Sequence, residues 1–590
     1  MSDMSPVAEI LFALRAYGGL DRLVATGAFP DLDGETADTI IEEATRFAEE
    51  QLLPLNQPGD RTGVSLADGV VTTPPGWKET YRRWREAGWN GLGGPPEWGG
   101  QGLPMILQMA LQEIWNGANA SFAVGPMLSG GAVEALMTHA IEDLQKRYLP
   151  KLVSGEWMVT MDLTEPQAGS ELGAITTKAV RADDGSYRLF GQKTFITYGD
   201  HDFTDNIVHL VLARIADAAH GTAGISMFLV PKVLDDGSRN DLVAAANEHK
   251  LGLHASPTCT MVYGEGGTGA TGWLVGRENR GLVCMFTMMN HARLSVGFQG
   301  IGVASRALQL ARAFAAERRQ GHAHGSAHGQ MSPIAAHPDI QRELLTMSAL
   351  VAVSRAIGLA CAEAIDMSVA GPEAERAAWA NRASLLTPLA KVFATDAVNA
   401  VTSAGIQVHG GAGFIEETGA AQLYRDARVF AIYEGTNGIQ AIDLASRKLK
   451  LAGGAPVATV VNDIAAIAAA VAAANRPEFG QLAARLAEAG KHFATATAFL
   501  AKALANGEMH PVLAGARPYA RLFGLAFGGA LLAKGALRAD DDNRDRAIAL
   551  ARFHSESLLG EAASLAAAVI EGAEGLQQAA LHLGIAQPTS

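Results

Sequence analysis

The sequence predicts an α+β protein, mostly α, in which one β-domain sits between helical segments. Three observations carry this. Long flanking stretches place apolar residues at helical spacing, and from about Trp157 to Arg280 the chain changes to short β-branched or aromatic runs separated by turn residues. The order is the third: helical, β, helical, helical is a pattern of segregated elements. At roughly 100–200 residues per domain, 590 residues argue for three or four folded units.

Residues 1–156 read as an N-terminal helical domain. ADTIIEEATRFAEEQLLPL sets apolar residues on one face and acids on the other, PPEWGGQGLP (95–104) is Gly/Pro punctuation, and 105–152 returns to helix. Residues 157–280 predict a compact antiparallel β-domain, with strands in YRLFGQKTFITYG, NIVHLVLARIA, GISMFLVPK and TCTMVYGEG. Residues 281–451 are helical again, apart from a loop around Gly321 to Asp339. After the break at GGAP, residues 452–590 are alanine-rich amphipathic helices, an extra C-terminal helical domain. No internal repeat of fixed period occurs.

Composition narrows the function. With 48% hydrophobic and 18% charged residues the chain is not disordered. Its formal net charge of −14 argues against broad binding to nucleic acid or anionic membrane, both of which need a basic face. Three cysteines, Cys259, Cys284 and Cys361, are too few for a disulfide framework, so a reduced, cytoplasmic setting is expected. The N-terminal residues fit neither a signal nor a transit peptide. The longest apolar run, Ile464 to Ala474, is far shorter than the roughly 18 residues of a membrane span, and none is expected.

Most general motifs are missing. There is no Walker-A sequence, no His-Glu-x-x-His and no Gly-x-Ser-x-Gly. Gly300-Ile301-Gly302 lies in a helical pattern and lacks the third glycine of a dinucleotide turn. His322, His324 and His328 read as an exposed loop rather than a metal cluster, since no acid stands nearby to orient the rings. Asp540-Asp541-Asp542 reads as a helix N-terminus rather than a calcium loop.

Two segments stand apart. DLTEPQAGSELG (162–173) places Thr164, Ser170 and backbone donors near Gly169 where an anion or a planar ring edge could dock, or it is a plain crossover loop. RDARVFAIYEGTNGIQ (425–440) puts Glu434 between an apolar run and Gly435-Thr436-Asn437, which can cap the next helix. A carboxylate in apolar company has its pKa raised, as suits a general base. A buried structural glutamate would look the same.

Together with PPEWGGQGLP, GQKTFIT (191–197), ENRGL (278–282), NHAR (290–293), ERRQG (317–321), QVHGGAGF (407–414) and YEGTNGIQ (433–440), these segments resemble the acyl-CoA dehydrogenase family over about Ile10 to Leu451. The extension after Leu451 resembles the long bacterial branch, which acts on 3-methylthiopropanoyl-CoA or on longer fatty acyl-CoAs. The resemblance implies that residues 281–451 form a C-terminal four-helix bundle carrying the catalytic base, and that FAD is the cofactor. Met161, Leu163, Thr164, Gly169, Ser170, Phe195, Ile196 and Thr197 would line its isoalloxazine and pyrophosphate, and Thr436 would complete that site. Arg318, Arg319 and Gln320, with Gln407, Val408, His409, Gly410 and Gly411, would reach FAD of a partner subunit, which implies at least a homodimer. Ser170, Asn290, Arg293 and Gly435 would face the acyl-CoA. Members often carry Trp at the place of Phe195 and Asp at that of Asn290.

Glu434 would then take the α-proton while the β-hydride passes to FAD, giving a trans-2-enoyl-CoA, with an electron-transfer flavoprotein as acceptor. Relatives that carry the base beside the arginine matching Arg293 have their counterpart here in Ala292, which cannot act. Two alternatives stay open: an acyl-CoA oxidase, and a non-catalytic DNA-associated stress-response relative. The second predicts a basic extension, and residues 452–590 hold 11 Lys+Arg against 12 Asp+Glu.

Overall fold

The computed structural model describes residues 6–325 and 330–586, in two compact units. One unit comprises Glu43–Pro104 and Ile114–Ser295; the other comprises Met1–Glu42, Met105–Glu113 and Val296–Ser590.

The first unit opens with a small hairpin, β1 (Ser65–Ala67) and β2 (Val70–Thr72), which the sequence reading missed. Its main sheet has eight strands: β3 (Trp157–Asp162), β4 (Lys178–Arg181), β5 (Tyr187–Thr197), β6 (Asn206–Ile215), β7 (Ile225–Pro231), β8 (Leu242–Asn247), β9 (Thr258–Tyr263) and β10 (Ala270–Val275). β10 pairs with both β7 and β5, so the path β5-β4-β6-β7-β10 closes on itself, and β9 and β8 extend it from β5.

The expected antiparallel domain is in fact mixed. β3 and β4 both run parallel to β6, because each reaches it through a long connection rather than a tight turn. β6 is the central strand, and its sequence NIVHLVLARI is apolar almost throughout because both faces are covered. Val208, Leu210 and Leu212 enter one core with Leu149, Leu152, Val159 and Met227. Their neighbours Val211, Ala213 and Ile215 enter a second, with Leu189, Ile196, Phe228 and Met261. That is the period-two consequence of a strand.

In the second unit the helices Pro338–Ala370 and Asn437–Ser446 pack on Glu373–His409, and Gly297 and Gly300 of the Gly281–Glu317 helix approach the Ala390 and Ala394 carbonyls of that same helix. Gly300 lies inside the Gly281–Glu317 helix, so no dinucleotide turn forms there. Residues 452–590 do not stand as a separate body. The Met509–Arg538 helix packs on the bundle helices, and at Gly524 and Gly528 a Cβ would overlap Phe393 and Val353, so these glycines set the close approach. Asp540 caps the Asp541–Phe553 helix, accepting from the Asn543 amide at 3.0 Å.

Among the described residues four helical stretches are long and apolar enough, by length and composition, to cross a membrane. In three of them, Met105–His139, Pro338–Ala370 and Met509–Arg538, 83% of the apolar window is buried inside the protein. The fourth, Asn437–Ala474, is interrupted by non-helical Leu451, Ala452 and Gly453.

Candidate active site

Strand β3 ends at Asp162, and the chain crosses to β4 through residues 163–177. A buried carboxylate organises this crossover. Glu165, 2% exposed, accepts from the Thr176 amide (2.7 Å) and hydroxyl (2.8 Å), from the Thr177 amide (3.0 Å) and hydroxyl (2.6 Å), and from Lys193 Nζ (2.8 Å). Lys193 has no exposed surface and also donates to the Leu163 carbonyl at 3.0 Å. Burial works against the charge on Glu165, yet the Lys193 ammonium and the threonine donors hold its pKa down at about 2. The Thr194 amide donates to the Thr164 carbonyl at 2.9 Å, tying the crossover to β5.

Two residues beyond Lys193 the β5–β9 register shifts, and at this bulge Phe195 takes the left-handed conformation (φ +61°) with 63% of its surface exposed. An exposed aromatic in a conformation unfavourable for L-residues is a strained, deliberately aimed side chain. The eight flavin-side candidates thus fall on one crossover and one strand. Thr164, Gly169, Ser170, Phe195 and Thr197 are exposed or half-buried, as is Met161; Leu163 and Ile196 point into the cores and offer only backbone. Behind them lies a buried polar chain. Asp162 accepts from the Tyr263 hydroxyl and from Thr160, each at 2.5 Å, and Thr160 Oγ1 lies 2.8 Å from His209 Nδ1.

In the same unit, exposed Asn290 accepts from Arg293 at 3.3 Å; the Arg293 guanidinium lies 5.9 Å from the Phe286 ring centre, and the residue is 8% exposed.

The carboxylate candidate belongs to the other unit. Glu434 has φ +55° and Gly435 φ +81°, so two consecutive residues are left-handed. At Gly435 a Cβ would lie 2.5 Å from Gln440 Nε2, and that same amide donates to the Glu434 carbonyl at 3.3 Å. Lys391, without exposed surface, donates to the Gly435 carbonyl and to Asn437 Oδ1, both at 2.9 Å. Asn437 in turn donates to Asp396 at 2.7 Å and accepts from Thr395 at 3.0 Å. Thr436 N-caps the Asn437–Ser446 helix as its sequence context suggested, its hydroxyl accepting from the Ile439 amide. The neighbouring Tyr433 hydroxyl donates to Gln299, and burial, with the adjacent Glu434 charge, raises its pKa well above that of a free phenol. Glu434 itself is half-buried, with Ile432 exposed beside it.

The remaining candidates lie in this unit too. Arg318, Arg319 and Gln320 are exposed, pinned by a bridge between Arg319 and Pro333 and by the Ile334 amide on the Arg318 carbonyl (2.7 Å). Gln407, Gly410 and Gly411 are exposed, and a Cβ at either glycine would meet nothing within 4 Å. Val408 and His409 turn inward; the His409 ring bonds the Gly405 carbonyl at 2.7 Å and packs on Phe314. His322 bonds the Gln330 carbonyl, and His328 lies outside the described residues.

Sequence reading missed Glu165, Lys193, Lys391 and Gln440. The available signal was a lysine or glutamate inside otherwise apolar or strand-like runs, where charged residues are almost never fully buried unless paired.

The residue types suit an anionic, planar cofactor. An aromatic face projects at Phe195, open glycine backbone and exposed arginines offer a phosphate site, and a carboxylate stands on a rigid, strained turn.

Family models cover nearly the whole chain. Those for the N-terminal, middle and C-terminal domains of acyl-CoA dehydrogenase match residues 34–156, 160–265 and 279–449, and one described as acetyl-CoA dehydrogenase C-terminal like matches 460–579. The chain is 42% identical over 549 residues to a 3-methylmercaptopropionyl-CoA dehydrogenase of Ruegeria pomeroyi, covering 92% of each. It is 35% identical over 476 residues to a broad-specificity linear acyl-CoA dehydrogenase of Mycobacterium tuberculosis, covering 78% of this chain and 77% of that one. Among solved structures it shares its fold with a Caenorhabditis elegans protein, ACDH-11, in complex with C11-CoA (TM-score 0.74, 22% identity, 94% and 91% covered). An acyl-CoA dehydrogenase from Bacillus anthracis complexed with FAD is equally similar (TM-score 0.74, 22% identity, 95% and 93% covered).

Proposed function

The chain belongs to the acyl-CoA dehydrogenase family and is an oxidoreductase of that kind, and we propose that Glu434 is the base that removes the α-proton of its thioester substrate. The observation that carries this reading is the left-handed Glu434–Gly435 pair, whose two carbonyls are held by Gln440 and Lys391. A carboxylate on a backbone this constrained keeps its position without help from substrate, and strain of roughly 1–3 kcal/mol per residue persists only where surrounding bonds over-determine it.

FAD, when bound, supplies the acceptor for the β-hydride. Phe195, Thr164, Gly169, Ser170 and Thr197 would hold its ring system, through backbone and hydroxyl donors, with Met161 and the backbones of Leu163 and Ile196 completing the wall. Arg318, Arg319, Gln320, Gln407 and the backbone of Gly410 and Gly411 would take the adenosine and pyrophosphate end in a second subunit. A homodimer is supported by Phe414 and Ile415, which leave 84% and 52% of their surface exposed beside those glycines. Asn290 and Arg293 would meet the CoA moiety. As the α-proton leaves, negative charge grows on the thioester oxygen and needs preorganised donors; the Glu434 backbone amide is the one this chain supplies.

The first substrate to test is 3-methylthiopropanoyl-CoA, supported by the Ruegeria pomeroyi relative, with medium- and long-chain linear acyl-CoAs next, supported by the broad-specificity linear acyl-CoA dehydrogenase of Mycobacterium tuberculosis. An electron-transfer flavoprotein in the cytoplasm would take the electrons. Anaerobic titration of the purified holoprotein against such a panel should bleach the flavin spectrum. A Glu434→Gln variant should retain FAD and lose bleaching by several orders of magnitude. Protein that cannot be loaded with FAD would overturn the whole reading; a variant that bleaches at the wild-type rate would remove Glu434 from the role.

A further inference from the structure

The C-terminal helices help line an open cavity of about 850 Å³ that none of the proposed catalytic residues lines. Its walls come from five places in one unit: Arg22, Glu363 on Pro338–Ala370, Trp379 and Arg382 on Glu373–His409, the alanine-rich face of Ala455–Ala474, and the last turns of Met509–Arg538. The size is that of a small-molecule site, and most of its lining is apolar, with Trp379, Ile467, Phe527 and Leu531 among the apolar residues.

The charges are unevenly satisfied. Arg382 is paired with Asp463 at 2.9 Å and stacks over Phe527, and Arg22 lies 3.4 Å from Glu363 while stacking over Trp379. Lys534 and Arg538, one helical turn apart and so on one face, have no carboxylate within ion-pair distance among the described residues. Lys534 is half-buried, and its pKa is lowered by that burial and by the neighbouring Arg538, Arg22 and Arg382 charges, against the Glu363 carboxylate, which raises it. Leaving a cation in such a place is costly, and a ligand anion would relieve the cost.

We propose that this cavity is a second binding site for an amphipathic carboxylate, its head on Lys534 and Arg538 and its hydrocarbon body against Trp379, Phe527 and Leu531. The apolar walls select a chain of several carbons over a bare anion such as phosphate, and the paired state of Arg22 and Arg382 leaves the two cations of the Met509–Arg538 helix to take the head group. The site does not depend on the assignment of Glu434 or of the flavin residues, since it shares none of them.

Decanoate is the probe, titrated into FAD-loaded protein by calorimetry while the flavin absorption is recorded. One decanoate per chain should bind with the flavin spectrum unchanged and with the acyl-CoA site saturated by enoyl-CoA product. Decanol, without the charge, should bind at least tenfold more weakly. Lys534→Met, which keeps the length of the side chain, should weaken decanoate about tenfold or more, as expected for loss of a charged hydrogen bond. Arg538 is exposed, so Arg538→Gln keeps the test alive should the buried variant misfold, and it should weaken binding severalfold. Equal affinity for decanol and decanoate, unchanged affinity in both variants, or loss of binding on saturation with enoyl-CoA would each overturn the proposal. Tighter binding of decanoyl-CoA than of decanoate at this site would overturn the free carboxylate as its occupant.

Discussion

Replacing Lys193 by Met leaves the Glu165 carboxylate buried without its cation. The magnitude can be worked in two ways. Glu165 is held at about 2 against an ordinary 4.5, equivalent to about 3 kcal/mol. Part of this belongs to the threonine donors, which survive the substitution. Breaking a buried pair by removing one partner independently costs about 3–5 kcal/mol. Five remaining hydrogen bonds, from Gln167, Thr176 and Thr177, place the expected loss near the lower end, about 3 kcal/mol. The sign with pH follows from the depressed folded value: the stabilisation is present above about 4.5 and is lost as pH falls toward 2, so wild type and variant converge in acid. Two units make a single global transition a poor measure. Hydrogen exchange of the Thr176 and Thr177 amides reads the crossover directly, and protection at neutral pH should fall by about 10²-fold, with FAD retention falling alongside. The Glu165→Gln/Lys193→Met double variant removes both charges and should recover most of the loss. Unchanged protection in the single variant, or a double variant no better than the sum of the two singles, would refute the claim that this pair holds the crossover.

Lys391→Met should release the Gly435 carbonyl and lower kcat at least tenfold while leaving the FAD content unchanged, measured by steady-state rates and the flavin-to-protein ratio. Gly435→Ala forces a Cβ to 2.5 Å from Gln440 at φ +81° and should depress kcat more than it depresses melting temperature. His554 is fully buried, has no hydrogen-bond partner at either ring nitrogen among the described residues, and burial lowers its pKa to about 4. Its unfolded form binds the proton first, so stability is full above about 6.5 and falls as pH drops toward 4; His554→Leu should flatten that limb of a melting-temperature profile by an amount equivalent to about 3 kcal/mol. Gly524→Ala places a methyl into the Phe393 ring and should destabilise by about 1–3 kcal/mol, read by urea unfolding.

Much of the candidate site was legible because its chemistry is local. Phe195 and Thr197 sit in one strand, Thr164 to Ser170 in one crossover, and Glu434 to Thr436 in one turn, so short motifs carry them. The supporting residues were not legible. Lys193 meets Glu165 from 28 positions away and Lys391 meets Gly435 from 44, and no local pattern reports which buried charges will face each other. Likewise, the parallel pairing of β3 and β4 with β6 depends on where long connections return the chain, which the alternation of apolar residues within a strand does not encode.

By itself the sequence determined the class of elements, the family and the cofactor that family uses, and it named the candidate site residues, because periodicity, turn residues and short motifs act over a few positions. Tertiary structure alone decided that residues 452–590 close onto the bundle through Gly524 and Gly528 and that Leu163, Ile196, Val408 and His409 turn inward. It also decided that Phe195 and Glu434 adopt left-handed backbones. Those outcomes depend on close packing and on hydrogen bonds between distant segments, where the cost of strain or buried charge is offset only once the partners have been brought together.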